Sequence, residues 1–431
     1  MPHLFTFALL LGLLASGPSV AADISLEDYG FPISNPFEAT IAGTPLELRP
    51  ELPTDDEIHQ SDHSLRLLPE REYELPANFW AVKKLRYRIA TQPGPAPLTF
   101  VIAGTGAHYA SGNAELLKKV FYQGGFHVVQ LSSPTSYDFM AAASRFATPG
   151  ISRDDAEDLY RVMEAVMANH PDLAVTDYHL TGYSLGGLNA AFVSHLDEQR
   201  GRFNFKRVLM INPPVNLYTS ITNLDRLVQT RVDDVHDTES FYERIFEKLT
   251  RYFRHQGSLD MTAAMLFDFQ KSSERLSNEE MAMLIGAAFR FSAADIVFTS
   301  DLINRRGLIT PPDLEINEGT RITPFFQRAM LCDFDCYMAE QLIPLWRLRD
   351  DGGGLPQLVD AVSLYALEDY LRASPKIAVM HNADDIILGP GDLGFLRRAM
   401  GSRLTLYPRG GHCGNMNYRV NTQAMLDFMR E

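Results

Sequence analysis

Asp177-Tyr178-His179-Leu180-Thr181-Gly182-Tyr183-Ser184-Leu185-Gly186-Gly187 is the stretch on which the reading of this chain turns. Tyr178 to Leu180 is a short apolar run of the kind that forms a buried strand. Leu188-Asn189-Ala190-Ala191-Phe192-Val193-Ser194, just beyond the glycines, suits a helix. G-x-S-x-G between a strand and a helix is the pattern of a nucleophile elbow. The bend is so sharp that side chains at Gly182 and Gly186 would collide with neighbouring backbone, which accounts for both glycines. The strain lifts the Ser184 hydroxyl clear of the sheet. It also sets that hydroxyl at the start of a helix, where free N–H groups stabilise negative charge.

A serine hydroxyl needs a base to take its proton, and the base needs a third group to hold its tautomer. Two segments downstream supply candidates. Tyr407-Pro408-Arg409-Gly410-Gly411-His412-Cys413-Gly414-Asn415 places a histidine in a glycine-rich turn just past an expected strand. His381-Asn382-Ala383-Asp384-Asp385 places two carboxylates just past the preceding strand. His412 has eleven rivals in the chain, none in a comparable setting.

Working outward, Leu98 to Ala103 is a continuous apolar run ending in Gly104-Thr105-Gly106, as expected of a central parallel strand. Strands are also expected at 79–89, 126–131, 206–212, 375–380 and 403–407. Helices are expected at about 113–122, 152–170, 392–400 and 421–430. Strands alternating with helices every 25 to 35 residues imply a parallel α/β sheet with crossover helices. That rhythm stops from 215 to 371, where the pattern becomes helical: 240–253, 261–270 and 277–291, the last opened by a Ser277-x-x-Glu280 capping box. Residues 23–80 are irregular and rich in proline and acid residues, with one possible strand at 37–41. They read as an arm packed on the core.

Gly182-Tyr183-Ser184-Leu185-Gly186, the Asp384-Asp385 loop and Gly410-Gly411-His412-x-Gly414 together resemble the α/β-hydrolase superfamily, with the serine, acid and histidine in that family's order. The resemblance implies an α/β fold with a mostly parallel central sheet at 81–214 and 372–431, and a helical cap, 215–371, inserted after the sixth strand. The family's acid is the fourth residue of a G-x-x-D turn. Asn382-Ala383-Asp384-Asp385 aligns with it, so Asp385 is preferred and Asp384 is the alternative; Asn382 stands where the family has glycine, which asparagine can imitate at positive φ. The resemblance further implies oxyanion donors at the N–H of Leu185 and, in the loop after Ala103, at the N–H of Thr105. Ala103-Gly104-Thr105 departs from the family's His-Gly-x. Tyr183, His108 and Tyr109 are candidates for the pocket mouth, although the last two could equally be ordinary loop residues.

The implied chemistry is acyl transfer to water through an acyl-enzyme, needing neither metal nor organic cofactor. Large apolar residues in the cap (Met261, Met265, Leu266, Phe267, Phe269, Met281, Met283, Leu284, Ile285, Phe289, Phe291) are mostly helix packing. Any surplus would line an acyl pocket and suit a lipid-like or long-chain ester, with peripheral contact between cap and membrane left open. A peptidase or thioesterase on the same scaffold, and a non-catalytic envelope-binding protein, are the competing readings.

The 431 residues are 45% hydrophobic, ample for a large core, and carry 54 acidic against 39 basic side chains for a formal charge of −15. No basic stripe interleaved with aromatics occurs, which argues against a nucleic-acid partner. Residues 1–22 read as a secretory signal peptide: an apolar run too short for a comfortable span, then small residues up to Ala21 and Ala22. The n-region lacks Lys and Arg, and an uncleaved anchor is the alternative. No cysteine lies near that cleavage site, so a lipoprotein is not expected, and the expected location is secreted or periplasmic. Cys332 and Cys336, four apart, could bridge; without companion ligands they do not suggest a metal.

Overall fold

The computed structural model describes residues 22–71, 75–233, 240–241, 243–245, 247–248, 251, 269–317, 319–349 and 353–431. The expected signal peptide and the cap residues Met261, Met265, Leu266 and Phe267 lie outside the described residues, apart from Ala22.

Nine strands form one sheet: β1 (Ala22–Asp23), β2 (Gln60–Leu65), β3 (Leu85–Ala90), β4 (Ala96–Ile102), β5 (His127–Leu131), β6 (Val175–Tyr183), β7 (Arg207–Ile211), β8 (Ile377–Asn382) and β9 (Leu404–Tyr407). Their order is β1-β9-β8-β7-β6-β4-β5-β3-β2. β3 runs antiparallel to both of its neighbours, and every other pairing is parallel. Leaving aside the two-residue β1, this is the eight-stranded, mostly parallel sheet of the α/β-hydrolase fold. The cap then follows the sixth strand, as expected.

Alternation along the central strands divides the interior in two. In β4, Leu98, Phe100 and Ile102 belong to one apolar cluster, while Val101, and Ala103 just past the strand, belong to the other. The first cluster is covered by α5 (Ser152–Asn169), α6 (Leu185–Arg200), the helix Asp392–Met400 and part of the cap. The second is covered by α3 (Gly112–Gln123) and the C-terminal helix Arg419–Arg430. Because the crossovers leave the parallel strands pointing one way, β4, β6, β7, β8 and β9 all deliver loops to the same edge.

The N-terminal stretch differs from expectation in three places. Residues 37–41 are helical: after α1 (Leu26–Tyr29), α2 spans Pro36–Ala42. Its N-cap Asn35 accepts from the N–H groups of Phe37 and Glu38, and proline fills the first helical position, where no donor is lost. A cap followed by proline at the first helical position decides for a helix over a strand here. Residues 79–89 divide into a 3₁₀ turn, Ala77–Val82, and β3. Gln60–Leu65, expected to belong to the arm, pairs along its full length with β3 as an edge strand. Three of its six residues are exposed and only Leu65 is buried, and the sequence Gln-Ser-Asp-His-Ser-Leu lacks the apolar alternation that would announce it.

The cap contains α7 (Leu217–Leu227) and a long helix, Asn278–Asn304, opened by the Ser277–Glu280 capping box. The described residues from 240 to 251 are also helical. The long helix has the length and apolarity to cross a bilayer, yet it packs on α2, on α4 (Tyr137–Ala142), on α7 and on the helix Thr323–Met330. Arg290, which interrupts its apolar run, is held by Asp225 of α7. Glu280, wholly buried, is matched by Arg244, Lys248 and the N–H of Ser277. Cys332 and Cys336 are joined by a disulfide.

Candidate active site

β6 ends at Tyr183, and α6 begins at Leu185, so Ser184 alone makes the turn between them. Its φ of 54° and ψ of −128° lie where L side chains rarely sit. The flanking glycines are dictated by contact. A Cβ on Gly182 would lie 2.1 Å from the carbonyl oxygen of Gly186, and one on Gly186 would lie 2.2 Å from that of Ile102.

The turn places the Ser184 hydroxyl 2.9 Å from Nε2 of His412. Nδ1 of His412 lies 3.0 and 3.1 Å from the two oxygens of Asp385. The three side chains come from the C-terminal ends of β6, β8 and β9. With Nδ1–H given to the carboxylate, Nε2 is left to accept from the serine.

Asp385 is wholly buried in its side chain and fully occupied. Besides His412 it accepts from the Asn212 amide at 2.9 Å and from the Ile387 N–H at 3.2 Å. Burial alone would raise its pKa. The charge and hydrogen bond of His412 overcome that, and the carboxyl stays below its ordinary range. For His412 the balance runs the same way: burial disfavours the imidazolium, but the Asp385 carboxylate and then the Cys413 sulfur hold the pKa well above 6.5. Cys413, at φ 62°, brings its sulfur to 4.0 Å from Nε2.

Asp384, the alternative acid, faces elsewhere. Its two oxygens accept from the N–H groups of Gly410 and Gly411, at 3.2 and 3.0 Å. It therefore braces the turn that carries His412, and burial lifts its carboxyl above the usual range. Asn382 also differs from expectation. It is the last residue of β8 rather than a positive-φ turn position, and its amide donates to Gly411 O and to Asn415. Asparagine here supplies a side chain to a buried network where glycine would supply none. That network runs through Asn415 to Tyr29 of the arm and on to Asn421.

The loop after β4 passes over the serine: a Cβ on Gly104 would lie 3.3 Å from that of Ser184. Ala107 N–H bonds Gly104 O across a turn whose third residue, Gly106, has φ 68°. Thr105 thus takes the second position of a type II turn, whose N–H the turn does not use. The N–H of Leu185, first in α6, is also outside the helix ladder. Among the described residues neither donor has a partner.

Thr105 and Leu185 also stand in the wall of an apolar cavity that opens under the cap. Much of its wall comes from α7 (Leu217, Ile221), the long cap helix (Phe289, Ala293, Ile296, Val297) and the disulfide region (Cys332, Phe334, Tyr337, Met338). Of the apolar cap residues singled out in the sequence, Phe289 lines it. Met281 and Leu284 instead face α2, Met283 belongs to the same small cluster, and Phe291 is exposed. Tyr183, His108 and Tyr109 are absent from this wall. Strand alternation turns Tyr183 to the α3 face, where its hydroxyl meets Ser111 at 3.0 Å. Tyr109 is buried with its hydroxyl on Asp62, and His108 is exposed. Among the described residues no cluster of three or more His, Cys, Asp or Glu could hold a metal ion.

Sequence reasoning did not single out Asn212 or Thr40. Asn212 sits at φ 45° directly after β7, a position no periodicity marks. Thr40 lies on α2 and accepts the His412 N–H at 2.9 Å. The Asn35-Pro36 pair was the signal for that helix.

No protein-family model matches this chain, and no curated protein does. Solved structures to which this chain is similar include Est1E from Butyrivibrio proteoclasticus, at 13% identity and TM-score 0.37 over 80% of this chain and 93% of that one. An arylesterase is similar at 12% identity and TM-score 0.43, over 91% and 87% of the two chains. A thioesterase domain from the curacin biosynthetic pathway is similar at 12% and 0.38, over 86% and 99%.

Proposed function

We propose that this α/β-hydrolase-fold protein is a serine hydrolase that cleaves carboxylic esters with apolar acyl groups. One observation carries the reading: Ser184 Oγ, His412 and Asp385 form a continuous hydrogen-bonded row, at 2.9 and 3.0 Å, beside two N–H groups that have no partner among the described residues.

His412 Nε2 takes the Ser184 proton as Oγ attacks the acyl carbon, and Asp385 stabilises the imidazolium. The N–H groups of Thr105 and Leu185 receive the oxyanion, each worth on the order of 3 kcal/mol of transition-state stabilisation. The imidazolium then gives its proton to the leaving alcohol. Water, deprotonated by the same imidazole, releases the acid from the acyl-serine. The apolar cavity beside Thr105 and Leu185 supports an acyl chain of several carbons, lipid-like or otherwise.

A fluorophosphonate probe tests the reading. Covalent labelling that disappears in Ser184→Ala is the expected result; an unlabelled wild-type protein with intact fold would overturn it and favour a binding protein. Matched ester, thioester and amide substrates then separate an esterase from a thioesterase or peptidase, with ester turnover expected to be fastest. Export follows from residues 1–22 as a signal peptide, and N-terminal sequencing of the mature protein should begin at Ala22 or Asp23.

A further inference from the structure

We propose that Thr40, on helix α2 of the N-terminal arm, is a positioning residue for His412, so that the arm is part of the catalytic machinery. The inference rests on the hydrolase reading above and extends it to a segment about 370 residues away in sequence.

The turn that carries His412 has little conformational stability of its own. Gly410, Gly411 and Cys413 all have positive φ, at 150°, 55° and 62°. A turn of that kind keeps its shape only where its surroundings fix it. Asp384 holds the N–H groups of Gly410 and Gly411 from the β8 side. The N–H of His412 itself is taken by Thr40 Oγ1 at 2.9 Å, and that hydroxyl gives its own proton to Pro36 O at 2.6 Å. Acceptor and donor roles of the hydroxyl are both used, so its rotor is fixed. Two residues beyond His412, Gly414 O accepts from the Thr44 hydroxyl at 3.0 Å.

The fit between α2 and the turn is close. A Cβ on Gly411 would lie 2.2 Å from Pro36 O and 2.5 Å from Thr40 Oγ1, and one on Gly414 would lie 2.0 Å from Ala39 O. Both glycines therefore yield their side-chain space to α2. The opposite side of α2 packs on the cap: Phe37 and Ile41 join the cluster of Phe241, Met281 and Met283, and Asn35 donates to Asn278 at the start of the long cap helix. Thr40 thus links the imidazole's backbone to the helix on which the cap rests.

Removing the acceptor releases the His412 N–H while leaving the imidazole, Ser184 and Asp385 chemically intact. The loss should fall on the alignment of Nδ1 with Asp385 and of Nε2 with Ser184. It should appear in kcat and in the His412 pKa, with substrate binding in the cap cavity unaffected.

The experiment compares Thr40→Val, Thr40→Ala and Thr40→Ser in the full chain. For Val and Ala, kcat on a p-nitrophenyl ester should fall by roughly 10- to 100-fold with KM within about twofold, the scale of a small misplacement of a reacting group. Ser, which keeps the acceptor, should restore kcat to within about threefold. An NMR titration of the His412 imidazole, which needs no turnover, should show its pKa lowered in Val and Ala and unchanged in Ser. Val and Ala variants that fold, turn over as wild type and titrate as wild type would overturn the proposal. So would a Ser variant as impaired as Val. If wild-type protein has no hydrolase activity, the titration still decides the positioning role, and the failure is then that of the hydrolase reading alone.

Discussion

The side-chain amide of Asn212, just past β7, donates at 2.9 Å to Oδ2 of Asp385, in the loop after the neighbouring strand β8. With His412 and the Ile387 N–H on the same carboxylate, Asp385 has no freedom to rotate away from the imidazole. Replacing Asn212 by glycine keeps the backbone at φ 45° free of strain and removes the amide. A hydrogen bond to a charged group is worth about 1.5–3 kcal/mol, so kcat/KM should fall by tenfold or more. Steady-state kinetics on an activated ester would check this.

The two neighbouring acids should separate cleanly by substitution. Asp385→Asn removes the charge that stabilises the imidazolium and favours the wrong tautomer, and should lower kcat by a factor on the order of 10⁴. Asp384→Asn should leave the chemistry within about tenfold. It should lower the melting temperature instead, because Gly410 and Gly411 lose a charged acceptor in a buried turn, at about 1–3 kcal/mol. Kinetics and thermal melts on the two variants decide between a catalytic and a bracing acid at each position.

The acid limb of the rate profile follows from His412. Its imidazole must be neutral to accept the serine proton, and Asp385 together with Cys413 holds its pKa well above 6.5 against the effect of burial. In free protein kcat/KM should therefore rise with pH through a value above 6.5. In Asp385→Asn the carboxylate no longer favours the charged form while burial still opposes it, so the limb should move to lower pH. A wild-type limb at or below 6.5 would contradict this account of the site.

Strain at Ser184 should be measurable as stability. Both Ser184→Ala and Ser184→Gly lose the hydroxyl and its bond to His412, but alanine keeps a Cβ at φ 54° and glycine does not. Strain of this kind costs on the order of 1–3 kcal/mol, part of which the added freedom of unfolded glycine cancels. Denaturant titration should place the glycine variant about 1 kcal/mol above the alanine variant.

Much of this site is legible in the chain because the reacting groups sit in short, strongly constrained contexts. Gly182 and Gly186 mark the elbow because their missing side chains are replaced by backbone at about 2 Å. Gly410 and Gly411 mark the histidine turn for a similar reason. What is not legible is whatever depends on distant segments meeting. Thr40 and Tyr29 reach the His412 turn from the arm through contacts that leave no local period. β2 is hidden because an edge strand that buries only Leu65 can be almost wholly polar. The apolar residues of the cap read alike in sequence, and packing decides that Phe289 lines the cavity while Met281 braces α2.

The cavity gives the last prediction. Its wall is almost wholly apolar, and Ala293 and Val297 line it one helical turn apart on the long cap helix. Each methylene transferred from water into such a space contributes about 0.8 kcal/mol, close to fourfold in kcat/KM. Wild-type protein should therefore favour an octanoyl over an acetyl ester. Ala293→Phe fills the space that the distal methylenes would take and does not touch Ser184, His412 or Asp385. Blocking about three methylenes should reduce the octanoyl-to-acetyl preference by roughly 50-fold, with the acetyl ester turned over within about threefold of wild type. A series of p-nitrophenyl esters from acetate to laurate measures both numbers. A wild-type profile that peaks at acetate, or an Ala293→Phe variant equally slow on every chain length, would mean that the acyl group lies outside this cavity.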